Sequence, residues 1–217
     1  MEISDSVRSL ERDLRSIFGL RLKSVVAYGN GVAREPDQTL VVVDRPTIDD
    51  LRAVADRIAG WHDAGLATPL VLGAHEFARS LDAFPYEFGA ILSNHALVSG
   101  ENPFDGLRVD PSDLRRACEV QARSHLLHLR EAYLETRGRS DELADLIIRS
   151  APSFVALVAN VKRVSPGFSE AAVAGDIEAV ASGKPLTSER ARQIFPDYLV
   201  AIGALVDHID RLNTDGR

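Results

Sequence analysis

Among 217 residues there is one cysteine, Cys118. That excludes an internal disulfide and any zinc centre built from several cysteines, and it points to a reducing compartment. A basic tract is missing as well. The formal net charge is −7; residues 1–106 carry 10 Lys and Arg against 16 Asp and Glu, and residues 107–217 carry 15 against 16, so the excess acid lies in front. Such a balance argues against tight nonspecific nucleic-acid binding. No uninterrupted apolar stretch approaches the length of a membrane span. The start, M-E-I-S-D-S-V-R, lacks the apolar core of a signal peptide, so a cytoplasmic protein with no membrane partner is expected. Internal repeats and low-complexity segments are absent too.

A hydrophobic content of 45% can bury a real core, and the length fits two small domains. Val25 to Asp44 reads as two Val-rich runs, each too short for a typical helix, around Gly29-Asn30-Gly31. Strands are expected at Leu22–Tyr28 and Thr39–Val43, with Arg34-Glu35-Pro36-Asp37 as the loop between them. Helical spacing of Val7, Leu10, Leu14, Ile17 and Phe18 predicts a helix over 3–18, ended by Gly19. Thr47 and Asp50 form an N-terminal cap signature for a helix over 47–64 with Leu51, Val54, Ala55, Ile58 and Trp61 inward, followed by a third strand at Pro69–Leu72. Apolar residues on both faces of the strands predict a mixed sheet covered by helices.

Gly100, Asn102, Pro103 and Gly106 mark residues 100–110 as a boundary, giving an α/β domain over 1–106 and a helical bundle over 107–217, an α+β chain. Four bundle helices are expected: 111–137, 140–163 with a kink or break at Pro152, 168–182, and 188–213 with a break near Pro196. Leu199, Ile202, Leu205, Val206, Ile209 and Leu212 form the stripe of the last.

This layout resembles the nucleotidyltransferase superfamily, whose motif is a Gly-Ser turn closing one strand and Asp-x-Asp entering the next. Gly29-Asn30 falls at the first position and Asp37-Gln38-Thr39 at the second. Phe84-Pro-Tyr-Glu-Phe88, His95-Ala-Leu-Val-Ser-Gly100 and Arg123-Ser-His-Leu-Leu-His-Leu-Arg130 are similar to segments of bacterial nucleotidyltransferase-like proteins with a helical bundle behind the α/β domain. The resemblance implies a turn that binds the phosphates of an NTP or another phosphorylated small molecule, and three carboxylates that hold Mg²⁺. It places Gly29, Asn30, Asp37 and Thr39 at a nucleotide site, with Asp37 as metal ligand. Mg²⁺ requires hard oxygen ligands, and Thr39 stands where the second carboxylate belongs. Thr68 to Ala74, where the third would lie, has no acid; Glu35, Glu76 and Glu87 are the substitutes at hand. The expectation is a nucleotidyltransferase fold kept for ligand binding or for a protein partner after loss of catalysis. The alternatives are an active enzyme transferring NMP to a small molecule, protein or RNA, and a helical interaction module of the antitoxin kind.

Arg116, Arg123, Arg130 and Arg137 recur every seven residues and share one slowly drifting helix face. Val120, Leu127 and Leu134 border it on one side, and Leu126, Leu129 and Tyr133 on the other. Arg123 and Arg130 are therefore expected to point at protein: at acids of residues 1–106 as ion pairs, or at the cleft between Gly29 and Asp37 as phosphate ligands. His125 and His128, three apart on the same helix, have no third partner for a metal.

Overall fold

The computed structural model describes residues 3–29, 37–169 and 171–214. Two compact units divide the chain, Met1–Asp110 and Pro111–Arg217.

In the first unit the Ser4 hydroxyl accepts from Val7 N and starts helix α1, Asp5–Phe18; Gly19, at φ 56°, ends it. Strands β1, Leu22–Tyr28, and β2, Gln38–Val43, pair antiparallel, Tyr28 opposite Gln38 and Ala27 opposite Thr39. Strand β3, Leu70–Gly73, runs parallel to β2, and β4, His95–Gly100, antiparallel to β1. Among the described residues this makes one mixed sheet of order β3-β2-β1-β4.

Strand alternation sends the apolar residues to two cores. Val25, Ala27, Val41 and Val43 pack with Leu10, Leu14 and Phe18 of α1 and with Trp61 and Leu66. Val26, Leu40 and Val42 pack on the other side with Phe77, Phe88, Ile91 and Phe104. Helices α4, Ala74–Ala83, and α5, Pro85–Ser93, supply most of that second layer.

The helix expected over 47–64 is two: α2, Ile48–Ala55, and α3, Ile58–Asp63. Their junction turns the stripe, so Val54 and Trp61 are buried while Leu51 and Ala55 are exposed. The capping box of Thr47 and Asp50 is present.

The second unit holds α6, Pro111–Glu135, α7, Ser140–Val164, α8, Val173–Ala181, and α9, Ser188–Thr214. Helix α7 packs against each of the other three. It is also long and apolar enough, by length and composition alone, to cross a membrane, with half of its most apolar window buried in the bundle. Neither proline breaks its helix. Pro152 and Pro196 lie on exposed helix faces, where water can satisfy the carbonyls that lose their backbone donors. In α9, Ile202, Leu205, Val206 and Ile209 are buried as the stripe predicts.

Candidate functional site

Gly29 closes β1, and its carbonyl accepts from Asn94 Nδ2 at 2.8 Å. Asn30 and Glu35 fall outside the described residues. Asp37 re-enters the sheet beside Leu66, its N–H donating to Gly65 O at 3.2 Å and its carbonyl accepting from Ala67 N at 2.9 Å. Beside this end of the sheet, Tyr28 pairs with His95, whose ring packs on Phe104 at 4.8 Å. Burial pushes the Tyr28 hydroxyl above its ordinary range, so it is a neutral phenol.

The carboxylate of Asp37 is exposed, and its Oδ2 accepts from Ser4 Oγ at 2.6 Å. That hydroxyl also caps α1, so Asp37 supports the helix N-terminus, where negative charge is favourable. Thr39, in the second acid position, is 1% exposed, and its hydroxyl has no hydrogen-bond partner among the described residues. Alternation along β2 puts it on the face of Val41 and Val43, toward the α1 core. A ligand would have to reach through that core to meet it.

Across the sheet at this level stand Ala27 and Ala96, with Pro69 just before β3 on the other side. Glu76 is elsewhere. Its Oε2 accepts from Gly73 N at 2.7 Å and caps α4, and Gly73 pairs with Val43, six residues along β2 from Asp37. At about 3.3 Å per residue that separates it from Asp37 by roughly 20 Å, far beyond metal-bridging reach. Glu87 is exposed in the first turn of α5. Among the described residues no three His, Cys, Asp or Glu side chains are grouped to hold a metal. Among the described residues, the motif positions offer one carboxylate and a buried hydroxyl beside an apolar strand, fewer hard oxygen ligands than the octahedral shell of Mg²⁺ takes.

Arg123 and Arg130 both lie on the exposed side of α6. Arg123 is 53% exposed and bonds Asp210 Oδ1 at 2.7 Å and Glu119 at 3.4 Å, both acids of the bundle. Arg130 is exposed and has no ion pair with a described residue. The seven-residue spacing defined a face but not its direction. The buried side of α6 is Leu114, Cys118, Ala122 and Leu129, while Val120, Leu127 and Leu134, which border the arginine face, are exposed.

Sequence reading passed over a groove between α6 and α7. A cavity of about 640 Å³ is lined by His128, Glu131, Glu135, Glu142, Asp145 and Arg149. A neighbouring one of about 350 Å³ shares His128 and Arg149 and adds His125, Ser124 and Ser150. The signal was there: Glu131 and Glu135 are four apart and Glu142 and Asp145 three apart, each pair on one helix side. In its wall Tyr198 Oη donates to Ser150 Oγ at 3.2 Å, and Ser150 Oγ donates to Ile147 O at 3.2 Å. The Tyr198 oxygen is thereby left to accept from His125 Nε2 at 3.0 Å. Burial first, and His128 second, hold His125 below the ordinary imidazole range and keep it neutral. Burial likewise pushes the Cys118 thiol up to about 12, which makes it a packing residue.

No family model and no curated protein matches the chain. Among solved structures, the spectinomycin adenyltransferase AAD(9) of Enterococcus faecialis, crystallised with ATP and spectinomycin, is similar over 95% of this chain and 98% of its own, at 14% identity and a TM-score of 0.48.

Proposed function

We propose that this is a nucleotidyltransferase-like protein that binds a nucleotide or another phosphorylated small molecule at the Gly29 to Asp37 end of its sheet and does not carry out metal-dependent transfer. The observation that carries this reading is the state of the two motif positions. Asp37 is hydrogen-bonded to the α1 cap, and Thr39 is buried on the α1 face with no second carboxylate at its level among the described residues. Without a metal to neutralise phosphate charge, recognition falls to neutral donors, of which Asn94 and Tyr28 stand beside Gly29. The sequence expectation of a protein partner is a second reading, favoured by the exposed apolar line on α6.

Calorimetric titration with ATP, GTP, CTP and UTP, each with Mg²⁺ and with EDTA, tests the proposal. Binding of at least one nucleotide is expected, with affinity changed less than about threefold by the metal, a difference under 1 kcal/mol. Mg²⁺-dependent binding lost in Asp37→Ala would overturn it.

A further inference from the structure

Helix α6 shows an apolar line on the side turned away from its core. Val120, Leu127 and Leu134 are 66%, 63% and 74% exposed. Seven residues apart, they drift by only about 20° per repeat and form one line roughly 20 Å long. A single exposed Leu needs no explanation, but three large apolar side chains in register opposite a buried face have the spacing of a helix-to-helix seam. The flanks are charged in a definite order. Counting roughly 100° per residue, Arg123 and Arg130 border the line on one edge, and Glu131 and Glu135 on the other.

We propose that this line is the contact through which two copies of the chain associate, with their α6 helices side by side and parallel about a twofold axis running along them. The charge order selects both occupant and orientation. Parallel pairing about that axis sets the basic edge of each helix against the acidic edge of the other, on both sides of the seam. Arg130 of one copy then meets Glu131 and Glu135 of the second. Antiparallel pairing would place Arg beside Arg and Glu beside Glu. Arg130 is the available cation, because Arg123 is held by Asp210 and Glu119. This inference does not depend on the nucleotide reading.

Sedimentation equilibrium of the full chain from low to high micromolar concentration tests it. A monomer–dimer equilibrium is expected, and Leu127→Arg, a change at an exposed position, should make the chain monomeric throughout. Arg130→Glu makes both edges acidic, and Glu131→Arg with Glu135→Arg makes both basic. Each variant alone should dimerise at least tenfold more weakly than the parent, and the two mixed should form a heterodimer. Val120→Cys should cross-link to itself under mild oxidation, as parallel pairing requires. A parent chain that stays monomeric at high micromolar concentration, a dimer that survives Leu127→Arg, or charge variants that do not pair when mixed would each overturn the proposal.

Discussion

Asp50 shows how much one side chain holds in the first unit. Its carboxylate accepts from both Arg21 amino groups at 2.6 and 2.7 Å and from Thr47 N and Oγ1 at 2.9 and 2.8 Å, so it caps α2 and ties that helix to the segment before β1. The Arg21 guanidinium, against a smaller opposing effect of burial and with help from Thr47, holds the carboxyl well below the usual carboxylate range. A depressed folded-state value stabilises the fold above the unfolded carboxyl's value, about 4, and that stability disappears as pH falls toward the folded value. Asp50→Ala should lower unfolding free energy by about 1–2 kcal/mol near neutral pH. Urea denaturation should also show less loss of stability below pH 4 than in the parent. This residue was legible: Thr-x-x-Asp before an apolar stripe is a local signal. Asp37 and Thr39 were only half legible. Their spacing announced a strand entry, but whether they faced a ligand or α1 depended on packing from residues roughly twenty to thirty positions earlier in the chain.

Elements were read well where one period dominated. Strands β1 and β2 and helix α1 came within a residue or two of their observed limits, because Val-rich runs and a 3.6-residue stripe are unambiguous. Helix α5 was not foreseen, although Pro85 at its first position is compatible with a helix start. The prolines of α7 and α9 misled in the opposite direction, since exposure of their helix faces decides whether a missing donor matters. Strand β4 adds a test at this scale. It departs from regular register against β1 between Val25 and Val26, and Gly100 closes it at φ 83°, where an added Cβ would overlap the Lys23 carbonyl. Gly100→Ala would combine an unfavourable backbone conformation with overlap against backbone. We expect it to destabilise the chain by about 3 kcal/mol or more, visible as a shift of the urea midpoint.

For the whole molecule, turn chemistry predicts a boundary within residues 100–110, and the two compact units are Met1–Asp110 and Pro111–Arg217; the direction of the arginine face does not follow from spacing. Seven-residue recurrence places side chains on one side of a helix, but which side is buried is decided by the other bundle helices. Here they cover Cys118, Ala122 and Leu129 and leave Leu127 outside. We propose that the first unit binds a nucleotide or another phosphorylated small molecule and does not carry out metal-dependent transfer. Incubation of the full chain with each of the four α-³²P-labelled NTPs, with Mg²⁺ or Mn²⁺ and a broad panel of amine, hydroxyl, protein and RNA acceptors, tests it most directly. No label above the protein-free background is expected for any pair. Label transfer that Asp37→Ala abolishes, in a variant that still folds, would contradict it.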